Sequence, residues 1–304
     1  AQVMAGPYRS SDVSSEAKWV VHADLAQLRG TQVGGHLLEK MRSEVAQNKF
    51  AAFQAVFNFD PRKDLDGLTL YGYGKTKQKD GVLVAKGRFD GERLVTLVKA
   101  NKTYESHRLG GLDVHSWVDE KEAGRAVVRG RDPKRSYGCV YANGIILISD
   151  SIDNVGKAIE VLAGRSASLQ QENSLGLQPM SGGFLTAMAM TSQMKNVDPK
   201  SAILKRANSL SLSLGEQGGL MSGTLVLDAH DARAVTNLKK IVDGMIGLAL
   251  LNEETKPAAA KLAEAATVQL TGTRLQITLA GSVEDMIKCA AKKMAEKSGT
   301  PTSP

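Results

Sequence analysis

The chain has 304 residues, 42% hydrophobic and 23% charged, with 30 Gly, 8 Pro and a formal net charge of +7. That length suggests about two domains of ~150 residues, or one large one. The composition is neither that of a disordered nor that of a collagen-like chain. The longest near-apolar run, 245–251, is far shorter than the ~18 residues of a membrane span.

The first fifteen residues are small and polar. A start at Ala1-Gln2 fits a mature product left after signal-peptide removal, so export is expected. Residues 1–16 read as a flexible N-terminal segment. Residues 19–25 (Trp-Val-Val-His-Ala-Asp-Leu) then form an apolar, β-prone strand. A helix follows, with Val33, Leu37, Leu38, Met41, Val45, Phe53, Val56 and Phe57 mostly on one face. Asp60-Pro61 is expected to end it, because proline lacks the amide donor a continuing helix needs. Residues 68–73 and 82–89 read as strands around a polar turn, 75–81. Asp90 caps the next helix, which carries Leu94, Leu97 and Val98. Hairpin strands broken at Gly110-Gly111 and Asn143-Gly144 follow, then a strand at 145–148 and a helix at 151–162.

The second half repeats much of this order. Residues 184–190 answer the opening strand, and a short helix is expected after Pro199. Strands at 210–214 and 223–227 flank Gly218-Gly219, and Asp231 caps a long helix. An Ala-rich helix, strands near 268–270 and 275–279, and a final helix from Ser282 close the chain. Ser151-Ile152-Asp153 parallels Ser282-Val283-Glu284, and Arg93 and Lys99 align with Arg233 and Lys239. Matches in the same order argue for duplication. The expected fold is α+β: two related ferredoxin-like (split βαβ) halves, with antiparallel sheets and helices packed on one face. The first repeat is placed at 17–165, a linker at 166–181, the second repeat at 182–297 and a flexible tail at 298–304.

Six basic residues lie between Lys121 and Arg135 against two acids, contributing four of the seven net charges. Arg125, Arg129, Arg131, Lys134 and Arg135 are therefore the candidate binding residues, for a protein, a glycan or an anionic surface, on what reads as a solvated hairpin. Nucleic acid is disfavoured, because no aromatic residues interleave with these charges. Asp60, Asp64 and Asp66 lie close together, and Asp24 ends the opening strand. Paired carboxylates can share a proton and activate water. The chain has no Asp-Thr-Gly or Asp-Ser-Gly, and Asp24 aligns with Ala189 in the second half, so a symmetric dyad fails. The five histidines (22, 36, 107, 115 and 230) offer no metal set. A two-residue turn at Gly110-Gly111 pairs position 107 with 114 and 115 with 106, which sends the two imidazoles to opposite faces. Gly72-Tyr73-Gly74-Lys75-Thr76 lacks the first glycine of a phosphate loop. No cofactor motif is present.

Cys139 and Cys289 have no metal-site spacing; two ordinary thiols are favoured over a long-range disulfide. The end of the long helix is apolar nearly all round (Met245, Ile246, Leu248, Ala249, Leu250, Leu251). Something must cover it: core burial is favoured, and a homodimer through Met245–Leu251 is the alternative.

Three segments carry a resemblance: His22-Ala23-Asp24-Leu25 ending the first strand, Phe59-Asp60-Pro61-Arg62-Lys63-Asp64-Leu65-Asp66-Gly67-Leu68-Thr69-Leu70-Tyr71-Gly72, and Gly223-Thr224-Leu225-Val226-Leu227 entering a long helix. In these the chain resembles a group of secreted or envelope proteins of planctomycete- and verrucomicrobia-type bacteria, one with no agreed activity. The resemblance implies tandem α+β domains outside the cytoplasm: secreted, periplasmic or on the outer surface. The expected function is extracytoplasmic binding or envelope association without catalysis. The alternative is a secreted acid-type hydrolase, an aspartic-type peptidase or mucin-degrading enzyme, with Asp24, Asp60, Asp64 and Asp66 as its acids.

Overall fold

A computed structural model describes residues 6–74, 81–172, 175, 183–191, 207–251 and 263–287. These fall into two compact units. The first takes the described residues of 1–27 and 38–178, and the second those of 28–37, 179–192 and 197–304. Residues 28–37 thus leave the expected first repeat and belong to the second unit.

In chain order, β1 (Trp19–Asp24) is followed by α1 (Leu25–Arg29), α2 (Gln32–Lys40), α3 (Glu44–Phe57) and a single turn, α4 (Pro61–Asp64). Next come β2 (Leu65–Gly72), β3 (Gly81–Gly87), α5 (Gly91–Lys99), β4 (Glu105–Leu109) and β5 (Leu112–Val118). Then α6 (Glu120–Val128), β6 (Arg135–Ala142), β7 (Ile145–Ser149) and α7 (Ile152–Leu162) complete the first part. The rest is β8 (Gly183–Ala189), β9 (Ala207–Gln217), β10 (Leu220–Ala229), α8 (Ala232–Leu251), β11 (Thr267–Thr271) and β12 (Arg274–Ser282), with helical turns at 283–287.

The first unit's strands lie in the order β1-β2-β3-β7-β6-β5-β4, and the second unit's in the order β8-β9-β10-β12-β11. Within each unit every neighbouring pair is antiparallel. The fold class is α+β with antiparallel sheets, as expected. Each order opens with three strands consecutive in the chain, β1-β2-β3 and β8-β9-β10, which is not the strand order of a ferredoxin-like half, although β10, α8 and β11 enclose the antiparallel β12 as a split βαβ does. The first five strands of one order match the five of the other.

The single helix expected after β1 is three. Asp24 caps α1 by accepting from the Gln27 amide at 2.8 Å. The amides of Gln32 and Val33, unpaired at the start of α2, donate to the Glu216 carboxylate of β9 at 2.7 and 3.0 Å. Ser43 caps α3, and Asn58 ends it in the left-handed conformation at φ 50°. Pro61 therefore does not stop the long helix. It opens α4 at the first helical position, where its missing amide costs nothing, under the Asp60 cap.

Residues 6–16, expected to be flexible, pack over the first unit. Val13 is fully buried, the Val13 carbonyl accepts from Leu169 at 2.8 Å, and Ser15 donates to Ala167 at 3.1 Å. The front of the expected linker is therefore structural; residues 298–304, the short helix after Pro199 and Cys289 lie outside the described residues.

Helices do not keep to one face of the first sheet. Val84 pairs with Leu147, and Val82 with Tyr71, so these four fully buried side chains share a face. Helix α7 covers it, burying Val155, Ala158 and Ile159 and setting the Lys157 ammonium 4.6 Å over the Tyr73 ring. Ala85 and its partner Ile146 point the other way, beneath α3 and α5. The basic stretch is not a hairpin: Lys121 and Arg125 lie on helix α6, Arg129, Arg131 and Lys134 in the connection after it, and Arg135 begins β6.

In the second unit Val235, Leu238 and Val242 of α8 pack on Leu227 and Leu275. Asp231 caps α8 by accepting from Ala234 at 2.7 Å. At its far end Ile246 packs against this core, but Met245, Leu248 and Leu250 stay exposed, so the favoured burial is not reached.

Candidate functional site

A cavity of about 300 Å³ lies between the first unit's sheet and helices α3 and α5. Its floor is Ala85 of β3, Trp117 of β5, Val140 of β6 and Ile146 and Ile148 of β7. Leu94, Val95 and Val98 of α5 form one wall, their i, i+1, i+4 spacing placing them on one stripe. Phe53 and Phe57 of α3 form another. Aromatic rings run along the hollow: Phe57 to Phe53 at 4.3 Å, Phe53 to Phe59 at 6.2 Å and Phe59 to Phe89 at 5.0 Å between centroids. Gly138 belongs to the floor because any side chain there would meet the Trp117 ring, at 3.1 Å from its Cβ.

One polar side chain, His115, reaches this lining and is held neutral, while Cys139, paired with Leu147, turns its thiol to the opposite face of the sheet. Burial lowers the His115 imidazole below its ordinary value, helped by the charge of Lys99 and opposed by Asp113. Its Nδ1 is hydrogen-bonded to the Tyr104 hydroxyl at 3.0 Å. Burial, with Asp113 adding to it, pushes the Cys139 thiol up to about 11. Cys139 is thus a protonated, buried free thiol and not a nucleophile.

Helix α3 is fastened by one side chain. Arg93 of α5 donates through Nε to the Val56 carbonyl at 2.7 Å and through Nη2 to Ala55 at 2.6 Å. It thereby satisfies last-turn carbonyls of α3 that have no partner within the helix. Beside Phe89, Val95, Val140 and Ile146, the cavity adjoins a cleft of about 360 Å³ whose other walls are Gly91, Glu92, Ala142, Asn143 and Gly144. Gly144 sits at φ 81°, in the β6–β7 turn that shapes this mouth.

The acids singled out from the sequence are engaged elsewhere. Asp60 accepts two hydrogen bonds from the Arg62 guanidinium, each at 2.9 Å, which hold its carboxyl below the usual range. A general acid needs the opposite shift. Asp64 accepts from the Asp60 amide at 2.8 Å, and Arg88 lies 3.1 Å from Asp64 and 3.6 Å from Asp66. The fold brings these three together as a capped turn tied by arginines, while Asp24 serves as the α1 cap. Of the basic residues, Arg131 pairs with Glu122 at 2.8 Å and Arg135 with Glu105 at 2.7 Å. Arg125 and Arg129 are exposed, and Lys134 is half-buried. Among the described residues no group of three or more metal-ligating side chains converges, and no helix is long and apolar enough to cross a membrane. His107 and His115 pair with Val114 and Ser106, on opposite faces as expected.

Sequence reasoning passed over a second cluster, on the α7 face. Lys86 forms a buried ion pair with Asp12. His22 Nδ1 is hydrogen-bonded to Thr69 Oγ1 at 2.9 Å, and burial lowers this imidazole despite Asp24 nearby. Burial, with Asp12 beside it, raises the Tyr8 phenol to about 12. One signal was available: Lys86 shares the parity of Val82 and Val84 in an otherwise apolar strand.

Neither a known protein family nor a curated protein matches the sequence. Solved structures of TP0453 are similar at low identity. Crystal form III aligns with TM-score 0.48 and 10% identity, covering 93% of this chain and 97% of that one. For crystal form I the values are 0.47 and 10%, over 95% and 98%. Crystal form IV gives 0.49 and 10%, over 93% and 96%.

Proposed function

We propose that this is an extracytoplasmic, envelope-associated binding protein without catalysis of its own, and that its ligand is an apolar small molecule held between α3, α5 and the sheet. The observation that carries the reading is the apolar hollow of about 300 Å³, floored by Trp117 and walled by phenylalanines. Protein interiors pack to a density of ~0.75, and a void lined by apolar atoms forfeits contacts that its walls would otherwise make. A hollow of this kind, at the lower end of the ~300–1,000 Å³ range of ligand sites, regains those contacts when filled. Neutral His115 suits an uncharged group in the hollow.

The two-halves reading belongs to the same proposal: one ancestral five-stranded unit, duplicated, with β4, β5 and α6 added to the first copy. It is supported by the matching strand orders and by Asp90 and Asp231 capping corresponding helices. Export is supported by the resemblance to secreted and envelope proteins. The hydrolase alternative would need Asp24, Asp60, Asp64 and Asp66 released from the caps and arginines that engage them.

Nile red, a neutral dye that brightens in apolar surroundings, tests the binding reading. Saturable one-to-one binding to the full chain is expected, lost in Ile148→Trp, whose larger side chain occupies the hollow. Absence of saturable binding, or binding unchanged in a folded Ile148→Trp protein, would overturn it. Glycoprotein degradation by the purified chain, abolished in Asp60→Asn/Asp64→Asn, would restore the hydrolase.

A further inference from the structure

The polar mouth of the cavity specifies the ligand further. We infer that the bound molecule is an amphiphile whose polar end is cationic or neutral and not a carboxylate or other anion, because Glu92 flanks the polar cleft that adjoins the cavity. This rests on the cavity being the binding site.

The two spaces share Phe89, Val95, Val140 and Ile146 as walls, so one molecule lying along the β6–β7 floor passes from an apolar chamber into a polar vestibule. The vestibule adds Glu92 and Asn143 as polar side chains, and among the described residues no basic one lines it. The start of α5 lies here, and its dipole alone would favour an anion. Two acids in and before its first turn oppose that field: Asp90, which accepts from the Arg93 amide at 3.0 Å, and Glu92. The nearest cation on the same helix turn, Arg93, is occupied by the Ala55 and Val56 carbonyls of α3. Lys99 stands at the opposite end of α5, where its charge acts on His115. An anionic head in the vestibule would therefore sit beside a carboxylate, with no cation among the residues described as lining it. An ammonium would gain Glu92, and a hydroxyl or amide would gain Asn143.

The experiment is displacement of Nile red from the full chain by dodecylamine, dodecanol and dodecanoate, whose chains match and whose heads differ. All three are used below their micelle-forming concentrations. In the wild-type protein dodecylamine should displace the dye best and dodecanoate worst, with a ratio of roughly tenfold at low salt. Glu92→Gln should shrink that ratio several-fold, and Glu92→Lys should reverse its order; each variant serves as its own reference. If the dye binds and dodecanoate competes as well as dodecylamine, or if the order is unmoved in Glu92→Lys, this inference is overturned while the cavity reading stands. If Nile red does not bind the wild-type chain at all, the cavity reading itself has failed.

Discussion

The two faces of the first sheet solve the same burial problem in opposite ways. On the α7 face Lys86 is buried against Asp12 and His22 Nδ1 against Thr69, among the fully buried Val82, Val84, Tyr71 and Leu147, while His22 Nε2 and the Tyr71 hydroxyl are buried without a hydrogen-bond partner. On the α3–α5 face, one residue along the same strands, the side chains are apolar apart from the neutral His115 and leave about 300 Å³ unfilled. Charge tolerates no slack: an ion removed from water must meet a partner, and the surrounding atoms must hold that geometry. An apolar hollow strands no buried polar group, so the fold tolerates it unfilled by its own side chains. The filled face is where the unit is held together, and the hollow face is where it has room for a ligand.

The largest effect expected from breaking this contrast is on the filled face. Asp12→Ala leaves Lys86 buried without its carboxylate and should cost about 3–5 kcal/mol in chemical denaturation. Asp12→Leu with Lys86→Met removes both charges and should recover most of that loss. A single Asp12→Ala within ~1 kcal/mol of wild type would mean that the α7 face is not locked by this pair.

On the hollow face the sign should reverse. Ala85→Leu adds apolar groups where there is space, at about 0.8 kcal/mol per buried methylene. Its Tm should rise while Nile red binding falls. A lower Tm would show that the floor is already close-packed.

Smaller still is the pH response. Folding holds both His22 and His115 below the ordinary imidazole value of 6.5. The unfolded chain therefore takes up these protons first as pH drops, so stability is complete above that value and declines as pH falls through it toward the folded-state values. Melting curves across mildly acidic pH should show this decline, and His115→Gln should flatten the part contributed by the hollow face.

The smallest effect sharpens the role of α3. Arg93→Ala frees the Val56 and Ala55 carbonyls at the surface, at a cost of about 0.5–1.5 kcal/mol. Amide hydrogen exchange should quicken in the last turn of α3, and Nile red should leave faster. Equal exchange in both proteins would show that Arg93 does not fasten the helix.

How much of this was legible depends on distance along the chain. The Asp90 cap, the Asp231 cap and the Gly110-Gly111 hairpin register were readable because each is settled within a few residues. The break of the first long helix was half-readable. Ser43 is a plain cap residue, but the periodic apolar positions around it suggested continuity, and Leu37, Met41, Phe53 and Val56 prove partly exposed. Pro61 is ambiguous in the sequence, because the missing amide that stops one helix also suits the first position of the next. The Glu216 cap on α2 spans 184 positions, and no local pattern announces it. The candidate acids were visible as residue types; their arginine partners Arg62 and Arg88 were equally visible, but pairing is a property of the folded turn.

By itself the sequence determined the kinds and order of the elements, because strand alternation, helical stripes, caps and turn glycines act over a few residues. Tertiary structure alone decided which face of the first sheet is filled and which is hollow. That choice depends on volumes brought together from six separate elements, and on whether a charge such as Lys86 finds its carboxylate across the fold.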